Sequence, residues 1–252
     1  MIKTFDDLIQ DGLSLPISDW DFSIIKDRSK STSPSWNYRT LAHKHMRGIT
    51  SMLDQDTGGG EVLSALSPLP LNTWATESYP PNIRVAKNRL EPLGVKVISD
   101  YADSSIPLPD SSLDLILNRH GGYSEPELIR LLKPGGIFLT QQVGGQNCIH
   151  LNELLQTKVD FMYSYWTKDL ITSRLQNAGF TLLTTKEEFP ILEFFDVGAL
   201  VFYLRIVSWQ IADFSVDKYY EILFSIHQGI LENGPLMVRE HRILVEAYKP
   251  IE

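Results

Sequence analysis

Cysteine is nearly absent from this chain: among 252 residues there is one, Cys148. A lone thiol excludes a disulfide framework and leaves too little sulfur for a zinc site, so no metal centre is expected. Long apolar runs are missing too, as is a basic-then-apolar leader, and the sequence therefore reads as a soluble cytoplasmic protein with no membrane partner. Basic residues are outnumbered, 23 Lys and Arg against 31 Asp and Glu, for a net charge of −8. That balance is poor for holding a nucleic-acid backbone, which needs a clustered basic face. The local stretch with Lys26, Arg28, Lys30, Arg39, Lys44 and Arg47 fits a solvated arm better than a docking surface. His43 and His45 are two apart on an expected helix and point away from each other, which is not a metal pair.

What the chain does have is L-D-Q-D-T-G-G-G-E at residues 53–61. Ile49, Met52 and Leu53 suit a short buried strand, and Glu61 to Leu66 suit a helix leaving the loop. Gly58, Gly59 and Gly60 then sit at a strand-to-helix turn, where a ligand can approach the main chain and the free N–H groups of the helix start. Glycines alone fit a bland helix-start loop equally well. The spacing is not G-x-G-x-x-G, since Leu63 stands at the third position, and no Gly-Lys-Ser/Thr follows to make a P-loop. A second strand, Leu71 to Thr76, ends in Glu77, seventeen positions after Gly60. An acid at the end of the second strand of a βαβ unit can accept both hydroxyls of a ribose. Its alternative is to cap the helix that Pro80, Pro81 and Asn82 announce.

Four segments in order, L-D-Q-D-T-G-G-G-E, A-T-E-S-Y-P-P-N, I-P-L-P-D-S-S-L-D-L-I-L-N-R-H and L-L-K-P-G-G-I-F-L-T-Q-Q, resemble the motifs of class I S-adenosylmethionine-dependent methyltransferases across about residues 49–142. The later D-V-G-A-L-V-F-Y-L-R and D-F-S-V-D-K-Y are similar to a bacterial subgroup of these enzymes whose substrates are not named. The resemblance implies the fold: α/β, Rossmann-like, a seven-stranded mainly parallel sheet with an antiparallel last strand and helices on both faces. It implies S-adenosyl-L-methionine as cofactor. Asp54 matches the acid that orients the loop and the methionine amino group, Gly58 and Gly60 match family glycines, and Glu77 matches the ribose acid. Thr57 and Gly59 complete the loop, Asp103 is preferred over Asp100 on the adenine side, and Asn118 closes the fourth strand against the cofactor. Asp56 departs from the pattern, which has glycine there. An extra carboxylate at that point crowds and repels the cofactor's carboxylate, and the expectation is that Asp56 tilts outward and the site still binds, with reduced affinity.

The rest of the chain supplies the frame. Residues 1–48 read as an N-terminal arm with a Ser-rich turn from Ser29 to Ser35 and a helix from Trp36 to Arg47, and residues 49–252 as the methyltransferase domain. Leu113 to Asn118 is the fourth strand, and Ser124 to Glu127 reads as a capping box. Phe180 to Thr185 and Arg242 to Ala247 read as the last two strands, paired antiparallel at the sheet edge. The helical insertion between them, residues 190–238, would sit over the carboxyl ends of the strands as a lid. Trp166, Tyr203 and Trp209 are candidates to line an aromatic acceptor pocket beneath it.

His120, directly after the fourth strand, is the candidate general base because its ordinary pKa lies near neutrality; a hydrogen-bonding neighbour of the cofactor is the other reading. Asn118 lacks the Pro-Pro-aromatic sequel of many amino-directed nucleic-acid methyltransferases. A small-molecule acceptor is therefore expected. An RNA or protein methyltransferase, or a non-catalytic cofactor-binding module marked by Asp56, are the alternatives.

Overall fold

The computed structural model describes residues 3–17 and 22–251. The chain forms two compact units, one built from residues 1–34, 144–165 and 188–241, the other from residues 35–143, 166–187 and 242–252. Residues 1–48 are thus divided between the two units, and segment 190–238 belongs to the first. In chain order the elements are α1 (Phe5–Ser14), β1 (Ser29–Ser31), α2 (Tyr38–His45), β2 (Ser51–Gln55), α3 (Glu61–Ser64), β3 (Asn72–Thr76), α4 (Pro80–Leu90), β4 (Lys96–Ile98), β5 (Leu113–Arg119) and α5 (Glu125–Leu131). They continue as β6 (Leu132–Val143), α6 (Ile149–Leu154), α7 (Lys168–Asn177), β7 (Thr181–Glu188), β8 (Ile191–Phe194), α8 (Val197–Ile206), α9 (Val216–Asn233), β9 (Leu236–Arg239) and β10 (Arg242–Tyr248).

The second unit carries the expected sheet of seven strands in the order β4-β3-β2-β5-β6-β10-β7. Neighbours from β4 to β6 run parallel, and β10 lies antiparallel to β6. Because side chains alternate across a strand, one sequence feeds two cores. Met52, Leu115, Leu117, Leu139 and Leu244 pack on one face with Ala42 of α2, Leu63 of α3 and Ala86 and Leu90 of α4. Leu53, Ile116, Phe138, Ile243 and Val245 pack on the other with Leu128 and Leu131 of α5 and Ile171 and Leu175 of α7. The chain runs outward from β2 through β3 to β4, then returns to β5 on the other side of β2. This reversal opens a crevice at the carboxyl ends of β2 and β5, where such sheets bind ligands.

Two local expectations are corrected. Ser124 makes no side-chain cap on α5. Glu127 is drawn away instead, accepting from the Ile106 N–H at 2.6 Å and pairing with Arg130. Ser29–Ser31 is not part of a turn; it pairs antiparallel with β8, and its wholly polar residues suit an edge strand.

The first unit holds its own three-stranded sheet, β1-β8-β9, and a core dominated by α8. Nearly every residue of α8 is buried, which its uniformly apolar sequence requires. Asp196 caps it, accepting from the Ala199 N–H at 2.9 Å, and is fixed by Arg28 through two guanidinium bonds. Burial pushes the Asp196 carboxyl up, but Arg28 and the α8 N–H groups outweigh it and hold the pKa below the usual carboxylate value. Among the described residues no helix is long and apolar enough to cross a membrane.

Candidate functional site

The crevice at the end of β2 gathers most of the residues that the sequence singled out. Asp54 is buried and accepts from the Thr57 hydroxyl at 2.6 Å. Burial raises its pKa to about 7, with the nearby charge of Asp56 acting in the same direction and the Thr57 bond and Arg119 opposing. The Thr57 N–H donates to the Thr76 carbonyl at 2.9 Å, which ties the glycine turn to the end of β3. Gly60, the N-cap of α3, has a φ of 81°. A Cβ there would also lie 2.7 Å from Leu90, so glycine is needed both for the turn and for the approach of α4. Gly58, with a φ of 61°, faces open space, and a ligand can reach its backbone.

Glu77 is buried at the end of β3. Its Oε1 accepts from the Tyr79 N–H at 2.7 Å, the local capping contact that was its alternative reading. Among the described residues its other oxygen has no hydrogen-bond donor. Gln55, which the sequence reading passed over, ends β2 opposite Asn118. Its Oε1 is buried without a donor, while its Nε2 reaches Asp103 Oδ1 at 3.4 Å. Asp103 is exposed, and so is Asp100. Buried acceptors left open are uncommon in native proteins, and Gln55 Oε1 is one that a ligand's donor could meet.

Asp56 does not tilt outward. Its backbone has a φ of 54°, the left-handed region that favours glycine, and its half-buried carboxylate accepts from the Tyr101 hydroxyl at 2.5 Å and the Gly122 N–H at 2.8 Å. The side chain thereby links the segment after β4 to the segment after β5. Burial raises its pKa, the Tyr101 bond lowers it, and the charges of Asp103 and Glu77 raise it further. Gly121 permits the link, since a Cβ there would meet the Asp56 Cβ at 2.4 Å.

Asn118 is fully buried and its amide is fully engaged. Its Oδ1 accepts from Gln142 Nε2 at 2.6 Å and Thr140 Oγ1 at 3.1 Å; its Nδ2 donates to the carbonyls of Gly122 at 3.1 Å and Gln55 at 3.4 Å. It clamps the backbone of the site and offers no side-chain group to a ligand. His120 follows on the surface with a φ of 65°. Crowding by the surrounding protein, then the guanidinium groups of Arg119 and Arg242, push its pKa well below the ordinary histidine value.

A relay missed by sequence reasoning fixes the state of that imidazole. Trp36 Nε1 donates to Gln141 Oε1 at 2.8 Å, so the amide nitrogen of Gln141 faces the His120 Nε2 at 3.1 Å. An indole N–H can only donate, and an amide NH₂ can only donate. His120 Nε2 must therefore accept, and the neutral ring carries its proton on Nδ1. Tyr38 supports the same region by donating to the Asn118 carbonyl at 3.2 Å.

The aromatic candidates are divided between the two units. Trp166 lies in the second unit, edge-on to Tyr123 and under the Arg174 guanidinium. Tyr203 and Trp209 lie in the first unit. Tyr203 is buried in that unit's core between Phe22 and Phe194, and Trp209 packs on the same core, its indole N–H donating to the Tyr163 hydroxyl. Both are spent on packing, as the apolar periodicity around them requires. Among the described residues no cluster of His, Cys, Asp or Glu could hold a metal ion.

No protein-family model matches the sequence, and no curated protein matches it. The chain's likeness is to solved structures. A Bacillus halodurans protein described as a candidate methyltransferase superposes with a TM-score of 0.61 at 19% identity, over 85% of this chain and 99% of that one. The Haemonchus contortus phosphoethanolamine N-methyltransferase 2, solved with S-adenosyl-L-methionine, gives 0.50 at 18% identity, over 86% of this chain and 53% of that one. The [4+2]-cyclase SpnF gives 0.51 at 16% identity, over 85% of this chain and 81% of that one.

 Together these likenesses show a Rossmann-like fold shared with methyltransferases, and a cyclase among them shows that the fold alone does not fix the reaction.

Proposed function

We propose that this protein transfers the methyl group of S-adenosylmethionine to a small-molecule acceptor. The observation that carries the reading is the open buried acceptor Gln55 Oε1, with the unbonded oxygen of Glu77, at the strand ends that flank a glycine turn at the crossover of the sheet. Two adjacent hydroxyls and an amine are the donors that such a set fits. When bound, the cofactor supplies an already activated methyl group, so the protein need only hold, orient and desolvate the reactants.

In this reading Glu77 receives the ribose hydroxyls, Gly58 leaves its backbone open to the ligand, and Asp54 orients the glycine turn through Thr57. His120 is a neutral hydrogen-bonding neighbour and not a general base, because its Nε2 already accepts from Gln141 and its Nδ1 holds the proton. Acceptors that need no strong base to become nucleophilic are favoured accordingly. The net charge of −8 supports a small acceptor over RNA. Of the aromatic candidates, Trp166 remains the one to test for acceptor contact.

Asp56 favours one second reading, a module that binds cofactor without turnover, because its carboxylate spans the crevice from Tyr101 to Gly122. Calorimetric titration with S-adenosylmethionine and S-adenosylhomocysteine, repeated with Glu77→Ala, tests the site. Saturable binding that the variant loses supports it, and absence of binding by the intact protein refutes it. Mass-shifted product from a panel of small acceptors then separates transfer from mere binding.

A further inference from the structure

The first unit contains a cavity of about 260 Å³ whose apolar wall comes from Leu8 of α1, Phe195 at the corner between β8 and α8, and Ile230 and Leu231 of α9. His227 lines the same cavity. It stands three and four positions before Ile230 and Leu231, so one face of α9 supplies all three side chains. Leu8 is held from behind, since a Cβ on Gly198 would lie 2.2 Å from its carbonyl oxygen and leaves no slack between α1 and α8. Phe195 and Leu231 are exposed and stand at the entrance.

Two charged side chains also line the cavity, and both are already engaged: Lys3 pairs with Asp11, and Asp196 is held by Arg28. His227 is different. It is only 6% exposed, and its ring packs 5.5 Å from that of Phe5. Among the described residues neither of its ring nitrogens makes a hydrogen bond or an ion pair. A buried polar group without a partner costs free energy, so an imidazole placed this way calls for something in the cavity that bonds to it. Water serves poorly, because an ordered water needs about two to four polar partners and His227 is the one lining side chain left to bond.

We propose that this cavity binds a small neutral molecule made of an apolar ring and one hydroxyl, a phenol with a short alkyl chain, whose hydroxyl bonds to His227. The size follows from the volume: a dry cavity of about 150 Å³ is enough for benzene, and the larger space here takes a ring with a short chain. The neutrality follows from the lining, because each of its ionic groups has a counter-ion and no net charge is left for an ionic ligand to neutralise. A hydroxyl can donate or accept, so it matches the imidazole whichever nitrogen carries the proton. The assignment rests on no part of the methyltransferase reading.

The test is calorimetric titration of the intact protein with para-ethylphenol, with ethylbenzene as nearly the same shape without the hydroxyl, and with para-ethylbenzoate as the same ring bearing a charge. Saturable binding of para-ethylphenol is expected, with ethylbenzene roughly tenfold weaker, as one hydrogen bond to an otherwise unpaired buried group predicts. His227→Phe keeps a ring against Phe5 and removes the bond, so the phenol should fall to the affinity of the hydrocarbon. Leu231→Trp fills the entrance from an exposed position, where the core is not disturbed, and should abolish binding of both. Thermal melts without ligand confirm that each variant is folded. No saturable binding by the intact protein, equal affinity for phenol and hydrocarbon, or tightest binding of the benzoate would each overturn the proposal. So would an affinity for para-ethylphenol unchanged in both variants, which would place the molecule elsewhere on the chain, for instance as a methyl acceptor in the second unit.

Discussion

Trp36 donates its indole proton to Gln141 at 2.8 Å, and this one bond sets the tautomer of His120, which neither residue's position in the sequence would suggest. The expected outcome is that His120 titrates well below its ordinary value and shows the Nδ1-protonated neutral form by nitrogen NMR. Trp36→Phe frees the Gln141 amide to flip and should mix the tautomers. The sign for stability follows from the lowered pKa: below the unfolded value of about 6.5 the unfolded chain binds a proton that the folded chain does not, so His120 lowers stability as the pH falls. His120→Asn should flatten that part of the pH–stability profile; an unchanged profile would refute the lowered pKa, and a nitrogen spectrum with the proton on Nε2 would refute the tautomer.

Asp54 behaves in the opposite sense. Its folded pKa is raised from 3.8 to about 7, so its contribution to stability is fully present below pH 3.8 and is lost as the pH rises through 7. Asp54→Asn should therefore stabilise the protein at pH 8, by at most about 4 kcal/mol from some three pKa units, and should change little at pH 4. Chemical denaturation at the two pH values reads this directly. A cationic ligand near Asp54 would favour the ionised carboxylate, and binding of S-adenosylmethionine near pH 7 should then release a proton. Titrations in buffers of different ionisation enthalpy measure that release, and no release would place the ligand's charge away from Asp54.

The central sheet was legible because its strands are buried on both faces and read as short apolar runs, as in Leu113–Asn118, with Gly60 and Gly94 as punctuation. The first unit was not legible as a unit. Its three segments are separated by long stretches of chain, and each alone reads as an arm, a loop or an insertion. The strand-end positions of Asp54 and Glu77 were legible, Glu77 from its spacing after the glycines and Asp54 from the resemblance. Gln55, Gln141 and Trp36 were not, because their roles come from register and from contacts 105 residues apart in the chain.

Asp56 offers a test of local conformation against charge. Asp56→Gly removes a half-buried carboxylate and relieves a φ of 54° that costs an L-residue energy. The expected result is tighter binding of S-adenosylhomocysteine, read by titration. Asp56→Asn keeps an acceptor for Tyr101 or Gly122 and removes the charge alone, so it separates the two effects. If both variants bind more weakly, the links to Tyr101 and Gly122 shape the site and the carboxylate is a structural part of it.

In the first unit the contact between α1 and α8 is set by two glycines. A Cβ on Gly12 would lie 2.4 Å from the Gly198 carbonyl oxygen, and a Cβ on Gly198 would lie 2.2 Å from the Leu8 carbonyl oxygen. Neither neighbour is a side chain that can rotate aside, so any substituent must separate the helices and open the core around Ile9, Ala199 and Phe202. Overpacking of this kind typically costs about 1–3 kcal/mol. Gly12→Ala and Gly198→Ala should each lower the melting temperature, and because both disturb one contact the double variant should cost less than the sum of the singles. Strict additivity in thermal melts would show that the two glycines do not share one close approach.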